Sequence, residues 1–204
     1  MSNDFELRAA ELIAAGKRAD ERGWVPATSG NFSARLQDQS IAITVSGRHK
    51  GRLQMQDIMQ IDAAGVSMDH RKPSAETLLH TQLYASSGST GAVLHPHSPA
   101  ATLISMRHPE GVTLQDLELL KALEGIHTHE AVIHIPVFAN DQNIERLASK
   151  VAAHMDQRPM PMHAYLIAGH GLYTWASTVE IALRQVEALE AMFELTLRLE
   201  GKTP

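Results

Sequence analysis

Apolar residues recur along this chain at two spacings, and each change of spacing marks a new element. Over residues 4–22 they fall at helical intervals (Leu7, Ala10, Leu12, Ile13) with charges between them, which predicts an amphipathic helix stopping near Gly23. Residues 31–36 and 41–45 read as two short strands joined by a polar turn, and residues 56–62 as a third. Pro73 and Ser74 lead into a helix over 75–86. The run Ala92, Val93, Leu94 predicts a strand that ends on His95. Ser98 as N-cap, with Pro99 at the first helical position, opens a short helix to Met106. Residues 114–123 read as a further helix, 131–138 as an alternating strand and 144–155 as a helix. Residues 164–168 and 172–175 are strands flanking a Gly-His-Gly corner. Ser177 and Glu180 make a capping-box pattern for a last long helix reaching Glu200.

Helices and strands alternate throughout, which predicts an α/β fold with one sheet covered by helices on both faces. The short early connections favour a mixed or antiparallel sheet over a purely parallel one. The 204 residues suit a single domain over 1–204, since no linker, repeat or low-complexity stretch divides them. The net charge of −5 provides no basic field for nucleic acid or an anionic membrane, so an anionic substrate must be held by local donors. The absence of cysteine confines any metal to nitrogen and oxygen ligands. The first residues lack a basic region followed by an apolar one, and no apolar run approaches the roughly 18 residues of a membrane span. A soluble, cytoplasmic protein is expected.

The most informative chemistry lies in His95-Pro96-His97 together with the distant His170. Side chains two apart on a strand point the same way, about 7 Å apart along it, so two imidazoles can converge on one ion. A third from elsewhere would complete a three-histidine site with an open position, the pattern of a catalytic divalent metal. His170 stands between Gly169 and Gly171 in a turn that leaves its ring unshielded. The plain alternative is coincidence, since 12 histidines also produce a second pair, His127-Thr128-His129. Three small-residue loops supply hydroxyls, backbone N–H groups and ammonium groups: Thr28 to Asn31, Ser46-Gly47-Arg48-His49-Lys50, and Lys72-Pro73-Ser74. Each alone is an ordinary turn; together they could hold a phosphate dianion. Two carboxylates complete the inventory. Glu76 sits in the first turn of its helix. Glu118 lies among Leu117, Leu119 and Leu120, where partial burial would raise its pKa and suit it to general acid work. The plain alternative for Glu118 is a solvated residue on an outer face.

The ordered set Ser29-Gly30-Asn31-Phe32-Ser33, Ser46-Gly47, Lys72-Pro73-Ser74-Ala75-Glu76, His95-Pro96-His97 and Gly169-His170-Gly171 resembles the class II aldolase/adducin family over residues 5–200. The resemblance implies a three-layer α/β/α sandwich with a mixed, largely antiparallel sheet. It implies a homotetramer, with sites near subunit interfaces, and one zinc ion (Zn2+) per subunit held by His95, His97 and His170. It places Asn31, Ser46, Gly47 and Ser74 near a substrate phosphate, with Lys50 of the second loop as a further candidate. Glu76 matches the position that serves as base and metal neighbour in the family's aldolases. Residues 117–123, Thr128-His129 and residues 135–142 resemble the family's dehydratase members, in which Glu118 matches a proposed acid/base. The implied activity is loss of water from a phosphorylated methylthio-ketose in methionine salvage. A sugar-phosphate aldolase or epimerase using the same metal is the alternative. On this reading His127 and His129 bind no metal.

Overall fold

The computed structural model of the protein describes residues 3–157 and 162–201. Helix α1 (Asn3–Glu21) buries Phe5, Ala9, Leu12, Ala15 and Ala19, the three-to-four spacing of a single apolar stripe. Strands β1 (Asn31–Arg35), β2 (Ile41–Thr44) and β3 (Ile58–Ile61) follow as an antiparallel meander. Helix α2 (Thr77–Ser86) precedes β4 (Ala92–His95) and helix α3 (Pro99–Arg107). The Ser98 hydroxyl accepts from the Ala101 N–H, the N-cap the sequence predicts. Then come β5 (Val112–Leu114), β6 (Ile133–Ile135), β7 (Val137–Phe138), helix α4 (Ile144–Asp156), β8 (Ala164–Ile167), β9 (Gly171–Ala176) and helix α5 (Val179–Leu199).

Among the described residues, seven strands form the central sheet in the order β3-β2-β1-β4-β9-β8-β7, parallel only between β7 and β8; β5 and β6 form a separate pair. Alternation along the strands sorts the core into two layers. Phe32, Ala34, Ala92, Leu94, Leu166 and Leu172 face α1, α3 and α5. Ile43, Val93, Tyr165, Ile167 and Tyr173 face α2 and α4. The result is the expected three-layer sandwich with a mixed, largely antiparallel sheet. Among the described residues, no helix is long and apolar enough to cross a membrane.

Three local expectations are corrected. Residues 114–123 are not one helix: Asp116 takes a left-handed φ of 57° and Leu117 is extended, leaving only a three-ten segment, Glu118–Ala122. Residues 131–138 are not one strand. Pro136 has no N–H for a ladder, and the chain switches sheets there while its carbonyl accepts from the Leu166 N–H at 2.9 Å. The last helix is capped by Thr178, whose hydroxyl accepts from the Ile181 N–H at 3.2 Å. Ser177 is drawn off by Glu124, to which both its N–H and its hydroxyl donate.

Candidate metal centre

The central strand β4 carries His95 at its C-terminal end, and Pro96 and His97 continue beside the start of the neighbouring β9. The His97 N–H donates to the Trp24 carbonyl at 2.8 Å, and the Leu172 N–H to the Pro96 carbonyl at 3.1 Å. The second corner folds tightly onto the first. Gly169 takes φ 63°, and the His170 N–H donates back to Ile167 at 3.0 Å. A side chain at Gly171 would place its Cβ 2.3 Å from the Pro96 carbonyl and 3.2 Å from both the His95 and His97 rings. Glycine there is what allows the two corners to meet.

The three imidazoles converge through Nε2. His95 and His97 are 2.8 Å apart at these atoms, and His97 and His170 3.1 Å. Glu76 closes the cluster, Oε2 lying 3.4 Å from His95 Nε2 and Oε1 3.3 Å from His170 Nε2. All four ligand atoms lie within 4.8 Å of one another. His95 Nδ1 donates to the Leu172 carbonyl at 2.8 Å, which leaves its Nε2 as a bare lone pair. Its ring stacks on Tyr173 at 3.9 Å and 14°, so the orientation is locked. Burial, then the neighbouring His97 and His170, holds the His95 pKa well below the usual imidazole value. Burial, then His170 and Lys50, pushes His97 down to about 4. Both rings are therefore neutral at pH 7, and His95 offers its Nε2 lone pair with no proton to displace.

Lone pairs this close repel unless a proton or a cation lies between them. Metal–nitrogen bonds of about 2.0–2.1 Å in a tetrahedron put ligand atoms roughly 3.3 Å apart, close to the spacings here. A donor set of imidazoles and a carboxylate, with a fixed outer partner on His95, fits a divalent ion. The cluster is a candidate divalent-metal site.

Glu76 stands at the N-cap of α2, its backbone N–H donating to the Ser74 hydroxyl oxygen at 3.3 Å. Asn31, the first residue of β1, donates its amide to Glu76 Oε2 at 2.7 Å and to the Ser74 hydroxyl at 3.4 Å. Its amide hydrogens are thus turned to the carboxylate and the serine. An isolated bridge between Val45 and Pro73 brings the Ser46-Gly47 loop beside Ser74. Ser46, Ser74, Glu76, His170, Ile144 and Leu147 help to line a cavity of about 300 Å³, with Asn140, Asp141 and Gln142 along its rim. Lys50 is buried, and its ammonium donates to the Thr28 and Arg48 carbonyls at 2.7 and 2.6 Å. Burial pushes its pKa down to about 8, against the raising effect of Glu76. It stitches two of the small-residue loops together, with one hydrogen left uncommitted.

Glu118 differs from expectation. The three-ten turn leaves its side chain 73% exposed and ion-paired with Lys121, and that hydrogen bond lowers its pKa instead of raising it. It is not part of the histidine cluster. His127 and His129 are exposed and also stand outside the cluster. Sequence reasoning missed His80 and Tyr173, which pack directly behind the centre. Glu76 and His80 are four apart on one predicted helix, a spacing that puts both on one face and was available as a signal.

The chain belongs to the class II aldolase/adducin family: the profile of the class II aldolase and adducin N-terminal domain matches residues 10–197. Within it, the chain is 62% identical over 198 residues to the methylthioribulose-1-phosphate dehydratase of Methylococcus capsulatus, covering 97% of each chain. It is 49% identical over 201 residues to the enzyme of the same name from Pseudomonas aeruginosa, covering 98% of each. Among solved structures, YgbL of Escherichia coli superimposes with a TM-score of 0.82 at 23% identity, over 97% of this chain and 91% of that one. At that identity the likeness speaks for the fold alone.

Proposed function

We propose that this protein removes water from 5-methylthioribulose 1-phosphate to give 5-methylthio-2,3-dioxopentyl phosphate, a step of methionine salvage. The observation that carries this is the convergence of His95, His97, His170 and Glu76 beside a hydroxyl-lined cavity, in a chain 62% identical to a dehydratase of that substrate. We further propose that the ion is zinc, one per subunit, in a homotetramer acting in the cytoplasm. Three imidazoles suit zinc, and a chain without cysteine suits a reducing compartment.

When bound, the ion supplies Lewis acidity to the C2 carbonyl oxygen, which acidifies the proton on C3. Ser46, Gly47 and Ser74, with the remaining hydrogen of Lys50, hold the phosphate at the small-residue loops, beside Asn31, whose amide is turned to Glu76 and Ser74. Glu76 takes the C3 proton; Asn31 steadies one of its oxygens. The C4 hydroxyl leaves as water only if it receives a proton, because hydroxide is a poor leaving group. Glu118 is the proposed donor, a contribution of roughly 10²–10⁴-fold. Within its own protomer Glu118 is exposed, outside the cluster and held ionised by Lys121, so we place this role at the site of a neighbouring subunit, where it would have to be protonated before it donates. The C3–C4 enol that remains then tautomerises to the diketone.

Aldol cleavage at the same centre is the second reading, favoured by the place of Glu76 inside the cluster. The products separate the two. Mass analysis after incubation with the methylthio-ketose phosphate should find one product lighter by a single water. Two carbon fragments would establish the aldolase reading instead.

A further inference from the structure

Behind Glu76 runs a single file of hydrogen bonds that enters the sheet and ends in the core. His80 Nε2 meets Asn31 Oδ1 in a short contact. His80 Nδ1 lies 2.7 Å from the Ser33 hydroxyl, and that hydroxyl 2.8 Å from the Tyr84 hydroxyl. Tyr84 in turn is hydrogen-bonded to the backbone of Val93 on β4. Ser33 and His80 have no solvent-accessible surface, and Asn31 and Tyr84 are buried.

The chain has only one consistent direction. Asn31 turns its amide nitrogen to Glu76, so its oxygen must accept, and His80 Nε2 must carry the proton. His80 Nδ1 is then an acceptor, which obliges Ser33 to donate to it and Tyr84 to donate to Ser33. Burial pushes the His80 pKa down to about 3, so the ring holds a single proton and this tautomer is well defined. The Asn31 amide is thus held from both ends, its nitrogen by the Glu76 carboxylate, which only accepts, and its oxygen by the His80 Nε2–H, which only donates. Flipped, Asn31 would present an oxygen to the Glu76 carboxylate and repel it.

We propose that His80 is a positioning residue, which fixes the orientation of the Asn31 amide and thereby aims the Glu76 carboxylate into the metal cluster. The proposal rests on the metal reading of the cluster, but not on the identity of the substrate. Outer partners of this kind typically alter metal affinity or activity about 10–100-fold when removed.

The test compares two amide replacements in the full-length protein. The N–H of a glutamine side chain reaches the position of the histidine Nε2–H and can still donate to Asn31. That of asparagine matches Nδ1 and stops short. His80→Gln should therefore keep zinc affinity and kcat within a few-fold of the parent. His80→Asn should weaken zinc binding about 10–100-fold, measured by chelator competition, and lower kcat with a smaller change in KM. Ser33→Ala, which leaves His80 in place but frees its tautomer, should lie between them. Melting temperatures separate positioning from packing. Equal zinc affinity and kcat in the Gln and Asn variants would overturn the proposal, as would losses that simply follow the melting temperature across all three. A parent protein that binds no zinc would instead overturn the metal reading, and this proposal with it.

Discussion

Asn31 and His95 sit directly opposite one another in the antiparallel β1–β4 ladder. A single rung of the sheet therefore delivers both an imidazole of the cluster and the amide that holds Glu76. Opposed residues share a face, here the one covered by α2, which supplies Glu76 at its start and His80 one turn later. The centre is thus built on rigid elements, and only His97 and His170 come from corners.

Loss of one imidazole should abolish metal retention. His97→Ala is expected to lose zinc and turnover together, by more than the roughly 10–100-fold typical of an outer partner. Metal content and kcat, measured on the same preparation, check this. Full metal content in the variant would remove His97 from the ligand set.

Glu118→Gln separates binding from chemistry. Its carboxylate is exposed and bonded to Lys121, so the melting temperature and the zinc content should not change. If Glu118 protonates the leaving hydroxyl, kcat falls about 10²–10⁴-fold. Turnover close to that of the parent would leave Glu118 a surface residue.

The phosphate grip should appear in KM. Ser74→Ala removes one hydroxyl from the cavity wall, worth about 1 kcal/mol or somewhat more when the partner is charged. A rise in KM of roughly 5–10-fold is expected, with a matching loss of inhibition by inorganic phosphate. Because Ser74 also supports Asn31 and Glu76, a fall in kcat without a change in KM would reassign it to positioning.

Buried Glu190 should give stability a pH dependence. It accepts a hydrogen bond from Ser98 at 2.5 Å inside the core, and burial, with Glu194 adding, pushes its pKa up to about 8. The folded state therefore prefers the protonated acid, whereas the unfolded chain ionises near pH 4.3. Stability from this group is whole below about pH 4.3 and is lost progressively as pH rises towards 8, by up to about 1.4 kcal/mol per unit. Glu190→Gln should raise the melting temperature at pH 8 and change it little at pH 4.5. An unchanged pH profile in the variant would show that Glu190 is not the group responsible.

Much of the architecture was legible because its elements bury a single face. The helical spacing over residues 4–22 needs no tertiary information to be read, although the stripe that is buried runs through Phe5, Ala9 and Leu12 and leaves Leu7 51% exposed; the apolar run Ala92, Val93, Leu94, buried on both faces, is equally plain. The failures lie where tertiary contacts overrule local pattern. Leu117, Leu119 and Leu120 look like a helical stripe, yet Leu119 is 40% exposed and Leu120 alone is fully buried. That misreading is also what made Glu118 look half-buried. Ser177 fits a capping box until Glu124, distant in sequence, takes its hydroxyl. At the site, the histidine pair was visible from its i, i+2 spacing, and His170 from its flanking glycines. The role of Asn31 towards Glu76 was not, because it arises from a contact between β1 and the start of α2; nor was His80, which between Leu79 and Leu83 resembles any polar residue on a packed helix.

The claim that one ion at the His95–His97–His170 cluster makes the chemistry possible is tested most directly by titrating zinc into chelator-stripped protein. Dehydration of the methylthio-ketose phosphate, followed as loss of one water by mass, should rise from background to a plateau at one equivalent of zinc per chain. Full turnover by the stripped protein, or a plateau that His97→Ala reaches equally well, would contradict it.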